Sequence, residues 1–259
     1  MQKSSWQIAV LVAVCSLGTV PAFAQVSTGR APVATPVFVS PAAVPAGAVT
    51  SYAWAGVGLT DSFIGPYIGG LIPFNRNLNS EGLILRVSAY GGRYDYNNPP
   101  TFPDTHVNLV GGDVMLGYRK AVGTGWLTAY VGGALENHDI ADPAASLRGS
   151  EGGIKGLIEY WTPITQELWL YANGSYSTVF DTWNGFGRIG YKLTPQITIG
   201  PEGSLFGNNS PYREWRIGAF MSIATLPWGE LSVSGGYRQP FTPGPDGYYA
   251  NATLGFPFY

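Results

Sequence analysis

Tyr248-Tyr-Ala-Asn-Ala-Thr-Leu-Gly-Phe-Pro-Phe-Tyr259 decides the fold. Tyr248, Ala250, Ala252, Leu254, Phe256 and Phe258 form one apolar stripe at a period of two. Tyr249, Asn251, Thr253 and Gly255 alternate with them on a mostly polar face. That period places the two sets on opposite sides of a strand. An apolar outer face and a polar inner face suit hydrocarbon on one side and a wet lumen on the other. A terminal strand of this kind, ending on an aromatic residue, is also the expected signal for the outer-membrane insertion machinery of Gram-negative bacteria.

Composition supports this reading. The chain of 259 residues has 36 Gly, 14% aromatic residues and only 12% charged residues. Soluble domains average about 25% charged. Low charge with much Gly, Tyr and Trp fits short strands, tight turns and aromatic girdles. A net charge of −2 gives no electrostatic footprint for nucleic acid. No apolar run after the N-terminus reaches the length of a membrane helix.

Residues 1–24 read as a secretory signal. Lys3 supplies the positive start, Ile8 to Val20 the apolar core, and Ala22-Phe23-Ala24 the cleavage site. The single cysteine, Cys15, lies inside it, so the processed chain is expected to lack thiol and disulfide chemistry. Residues 25–50 carry Pro32, Pro36, Pro41 and Pro45 without periodicity and read as a periplasmic lead-in.

From Ser51 the alternation repeats between turn signals. It predicts strands at 51–59, 62–72, 82–96, 107–119, 126–138, 149–161, 167–178, 182–192, 196–206, 213–224, 230–238 and 248–258. In 126–138, Leu127, Ala129, Val131, Gly133 and Leu135 oppose Thr128, Tyr130, Gly132, Glu136 and His138. Charged residues fall almost entirely on the second face, as expected where lipid makes them expensive. Connections alternate between short turns, such as Thr162-Pro-Ile-Thr165, and longer polar stretches such as 97–106 and 139–148. The expected fold is an all-β, transmembrane antiparallel barrel of about twelve strands over 51–259, with both termini periplasmic.

Several ordered pieces carry a family resemblance. They are Glu81-Gly-Leu-Ile-Leu-Arg86, Tyr90-Gly-Gly-Arg-Tyr-Asp-Tyr96, Gly112-Asp-Val-Met-Leu-Gly-Tyr118 and Tyr130-Val-Gly-Gly-Ala-Leu-Glu-Asn-His-Asp139. Asp142-Pro143 and Arg148-Gly-Ser-Glu-Gly-Gly-Ile-Lys155 complete the set. Together they resemble the cellulose biosynthesis protein BcsS family, from about Ser51 to the C-terminus. Ala144-Ala145 depart from the family pattern, where an Asn would follow the Asp-Pro pair. The resemblance implies an outer-membrane barrel accessory to cellulose synthesis or export, with cellulose or secretion components as partners. It implies no active site.

A lipid hydrolase would need a Ser beside a His; His138 with Ser146 or Ser150 is the candidate, and no motif marks it. Glu136, His138, Asp139 and Asp142 lie close together without the spacing of a calcium loop. Phosphate and dinucleotide motifs are absent, so no cofactor or metal is expected. Alternation turns Arg86, Arg119, Lys155, Arg188, Lys192, Arg216 and Arg238 inward, facing Asp113, Glu136, Glu159 and Glu202. They read as opposed pairs filling the bore, or as the lining of a narrow pore with a slight basic excess, suited to acidic oligosaccharides. Tyr90, Tyr94, Trp126, Tyr130, Trp169 and Tyr171 also point inward, with Phe186 and Tyr249. They are candidates for stacking on a sugar chain, or filler and girdle. The function expected is a non-enzymatic accessory; the alternatives are an oligosaccharide porin and, third, a lipid hydrolase.

Overall fold

A computed structural model describes residues 49–98, 102–142, 145, 147–208, 212–226, 229–241 and 246–259. The expected signal and all but the last two residues of the lead-in lie outside them.

Twelve strands close into one antiparallel barrel. They are β1 (Ser51–Thr60), β2 (Phe63–Pro73), β3 (Gly82–Asn98), β4 (Phe102–Val122), β5 (Gly125–Asp139), β6 (Gly149–Pro163), β7 (Leu168–Ser177), β8 (Thr182–Lys192), β9 (Ile197–Gly207), β10 (Arg213–Leu226), β11 (Gly229–Pro240) and β12 (Gly247–Phe258). Each strand pairs with its sequence neighbours, and β12 closes on β1 with Ser51 opposite Phe258. Closure leaves no strand edge unpaired, which is what a backbone in hydrocarbon requires. An even strand count puts Ser51 and Phe258 at one end, here called the termini end. Thr50 N–H extends the seam by donating to Phe258 O at 2.7 Å.

The alternation read from sequence sorts the side chains as expected. Val131, Leu135 and Ile154 point outward and are more than 60% exposed. Thr128, Tyr130, Glu136 and His138 on the same wall point inward and are buried. Outward aromatics gather in two belts. Tyr176, Trp183, Trp215, Tyr237 and Tyr248 stand at the far end; Trp215 and Tyr237 meet at 5.7 Å, and Tyr237 and Tyr248 at 6.4 Å. Tyr118, Tyr160, Tyr191 and Phe256 stand at the termini end. Trp183 and Tyr191 on β8, like Tyr248 and Phe256 on β12, bracket an apolar stretch of one strand. At a tilt near 40° that spacing spans about 20 Å, close to the height of a lipid-facing band.

Inside, rings lie over glycines of the neighbouring strand. Tyr67 stands opposite Gly56, Tyr90 opposite Gly111, Tyr130 opposite Gly117 and Trp169 opposite Gly190. In each case a Cβ on the glycine would run into the ring. The missing side chain makes room for an inward aromatic to lie flat against the wall. On the outside, Gly185, Gly187, Pro201 and Gly203 leave an apolar groove of about 730 Å³ flanked by Leu170, Ile189, Leu205 and Ile217.

Two differences from the sequence reading stand out. The stretch 97–106 was expected as a loop, yet β3 runs to Asn98 and β4 starts at Phe102, because ladder pairing continues beyond the alternating pattern through a bulge near Tyr96. The connection 74–81, unassigned from sequence, folds into the termini-end mouth. Leu78 N–H donates to Val49 O, and both side chains are buried among Tyr52, Trp54, Ile84 and Met115. At the far end, the turn Val179–Asp181 drops Phe180 (φ 50°) onto Phe63, Tyr94, Leu109 and Ile140.

Candidate functional site in the barrel interior

The sequence-expected residues meet in separate clusters that join strands across the bore. Asp113 on β4 is held from two sides. Arg86 Nη1 donates to Oδ1 at 2.9 Å, and Lys155 Nζ to Oδ2 at 2.6 Å. The Arg86 guanidinium also lies 5.6 Å from the Trp54 ring. Nearer the far end, Tyr90 OH donates to Glu136 Oε2 at 2.6 Å. The other oxygen, Oε1, meets His138 Nε2 at 2.6 Å, and Tyr94 OH meets His138 Nδ1 at 2.8 Å. Phe180 packs its ring edge-on to His138 at 5.1 Å.

Across the lumen, Arg188 Nε donates to Glu202 Oε2 at 2.8 Å, and Tyr249 OH to Oε1 at 2.9 Å. The same guanidinium lies 4.4 Å from the Phe220 ring. Near the far-end rim, Glu214 accepts from Arg216 Nε at 2.5 Å, from Arg238 Nη1 at 2.9 Å and from Tyr212 OH. Arg238 also reaches Asp61 at 3.3 Å. Burial, and then the Glu214 carboxylate, push the Tyr212 phenol well above its ordinary range.

Other expected residues sit differently. Arg119 is buried, but it donates to neutral oxygens: Leu78 O at 2.5 Å and Thr128 Oγ1 at 3.2 Å. It latches the 74–81 connection to the wall. Glu159 accepts from Tyr171 OH at 3.2 Å. Lys192 has the inward parity of Arg188 but ends its strand and is exposed. Among the expected aromatics, Tyr94, Tyr130, Trp169 and Tyr171 are buried, whereas Tyr90 and Trp126 are half-buried.

Sequence reasoning missed inward Tyr52, Trp54, Phe63, Tyr67, Trp161 and Phe220, and the carboxylates Asp61, Glu214 and Glu230. On β1 and β2 both faces are apolar or aromatic, so no polar face marked the interior. Glu214 was legible, since it shares the parity of Arg216 two residues on.

The pairing of His138 with Ser150 does not form. Ser150 Oγ points outward and donates to Asn137 Oδ1 at 2.8 Å, while His138 points inward and is 1% exposed. Ser146 lies outside the described residues. The acidic group is divided likewise: Glu136 and His138 face in, and Asp139 is exposed.

Burial of the inner wall is uneven. From β1 to β5, inward side chains such as Trp54, Tyr67, Arg86, Ser88, Asp113 and Thr128 are buried. From β6 to β11, Trp169, Tyr171, Arg188, Glu202 and Phe220 are buried too, while Lys155, Glu159, Phe186, Ser204, Arg216 and Ser234 are half-buried.

A family model described as cellulose biosynthesis protein BcsS matches residues 52–258. No curated protein matches the chain. Among solved structures, an outer membrane channel from Pseudomonas putida F1 is 14% identical, covers 85% of this chain and 100% of its own, and has a TM-score of 0.54. The beta domain of the Bordetella autotransporter BrkA gives 12%, 82%, 100% and 0.51. The KdgM porin gives 13%, 81%, 99% and 0.50. At these identities the likeness is one of fold, the fold of outer-membrane barrels.

Proposed function

The chain belongs to the cellulose biosynthesis protein BcsS family, and from that premise we propose that it is a non-enzymatic accessory of bacterial cellulose production or export. It sits in the outer membrane, its apolar face against lipid between the aromatic belts, with both termini in the periplasm. It acts as an anchored surface or docking site, not as an open conduit.

The observation that carries this reading is the state of the bore. Arg86, Asp113, Glu136, Arg188, Glu202 and Glu214 are each at most 4% exposed, although they point into the lumen. A water-filled pore wets its inward charges. Here protein groups engage them, Glu136 through Tyr90 and His138 and the others through opposite charges, which is what a filled interior requires. Val49 and Leu78 at one mouth, and Phe180 at the other, add apolar packing to both ends.

A second reading, a narrow oligosaccharide porin, is favoured by the inward residues that are only half-buried, among them Lys155, Glu159, Phe186 and Arg216. Planar bilayers separate the two. The accessory reading expects folded, purified protein to give no stepped conductance. It also expects deletion to lower extracellular cellulose while permeability to small hydrophilic solutes stays normal. Regular current steps would favour the porin, and unchanged cellulose would remove the accessory role.

A further inference from the structure

We propose that the inner wall built by β6, β7 and β8 is a binding cleft for a single neutral glucan chain. The identity of the sugar rests on the cellulose reading above; the cleft itself rests on the chemistry of the wall.

Buried polar atoms are normally hydrogen-bonded, and leaving one bare costs about 1–3 kcal/mol. On these three consecutive strands four are bare: Trp161 Nε1, Trp169 Nε1, Asn173 Oδ1 and Asn184 Oδ1. Trp169 is 4% exposed and Asn173 9%, so bulk solvent does not serve them. Two are donors and two are acceptors. A sugar hydroxyl both donates and accepts, so a row of hydroxyls complements such a set.

Rings supply the second half of a carbohydrate site. Trp161 and Phe186 are half-buried rings on either side of the buried Tyr171, which lies opposite Trp161 in the β6–β7 ladder and 6.2 Å from the Phe186 ring. Sugars present apolar C–H faces to such rings. The wall also favours a neutral chain over an acidic one. Its nearest cations are engaged, Arg188 by Glu202 and Lys155 by Asp113. The carboxylate left on the wall, Glu159, repels an acidic sugar. Trp126 and Trp161, half-buried and directly opposite each other, border the cleft toward the termini end.

The test is titration of cellohexaose into the full processed chain in detergent micelles, read by tryptophan fluorescence and calorimetry. Saturable binding is expected. Trp161→Ala should weaken it about tenfold, and Asn184→Leu several-fold. Trp161→Phe, which keeps a ring and loses the donor, should fall between wild type and Trp161→Ala. Trp183→Phe, on the outer face, should leave the Kd unchanged. Heat-modifiable migration on gels establishes that each variant is folded. Absence of saturable binding, meaning that water alone serves these atoms, overturns the proposal. So does a Kd unmoved by both Trp161→Ala and Asn184→Leu, or tighter binding of trigalacturonate. The accessory role is read separately: lower cellulose on deletion, with no cellohexaose binding, leaves that role standing and removes the cleft.

Discussion

Arg86 Nη1 lies 2.9 Å from Asp113 Oδ1, and neither side chain exceeds 1% exposure. With Lys155 on the other oxygen, Asp113 is the shared acceptor for two cations reaching from β3 and β6. Removing one partner of a buried pair leaves an uncompensated charge and costs about 3–5 kcal/mol. Asp113→Ala should therefore destabilise the barrel strongly in urea unfolding from detergent. The combined replacement Arg86→Met, Asp113→Leu and Lys155→Met should recover most of that loss. Asp113→Ala unfolding at the wild-type urea midpoint would show that the bore is wet at this depth.

The outward face makes an independent prediction. Val131 stands about midway between the aromatic belts and is 62% exposed, whereas Tyr248 lies on the far-end belt. Arg at the bilayer midplane costs about 2–4 kcal/mol, falling to about 0–1 near the interface. Val131→Arg should impair folding into lipid vesicles, and Tyr248→Arg should have little effect. Equal, negligible effects would mean that water covers this face.

Glycines on the two faces should respond oppositely. A Cβ on Gly111 would stand 2.7 Å from the Tyr90 ring, and Tyr90 is committed to Glu136. Gly111→Val should cost about 1–3 kcal/mol through overpacking. At outward Gly187 the nearest atom to a Cβ is Tyr171 O at 3.7 Å, an ordinary contact. Gly187→Ala should be neutral or stabilising by up to about 1 kcal/mol. Unfolding midpoints of the two variants in one detergent check the contrast.

What the sequence made legible follows from the period of two. On β5, β7, β8 and β12 a polar face opposes an apolar one, so strand and facing are both readable. On β1, Ala55 is buried between inward Trp54 and Gly56, and the pattern blurs. Parity gives the side on which a residue points, not whom it meets. Asp113 was readable as inward, but its pairing with Lys155 depends on the register of β4, β5 and β6 together. Leu78 and Val49 lie outside any alternating run, so their burial in the mouth is a tertiary fact. The bare atoms of Trp161 and Asn184 are likewise visible only once neighbours are counted.

Arg216 and Arg238 face each other directly in the β10–β11 ladder, an arrangement that destabilises like charges. Glu214 resolves it by taking Arg216 on one oxygen and Arg238 on the other. Glu214→Gln keeps the shape and removes the charge, so the two guanidiniums should repel near the far-end rim. Asp61, 38% exposed at its side chain and 3.3 Å from Arg238, offsets the repulsion in part. The variant should therefore lose about 2–4 kcal/mol, within the range for breaking a buried charged contact. Because the rim is near water, salt should restore part of the loss. Arg216→Met placed in the Glu214→Gln background should restore stability at low salt as well. Unfolding midpoints at low and high sodium chloride read both effects. A Glu214→Gln midpoint equal to wild type at low salt would mean that Glu214 does not hold these two arginines together.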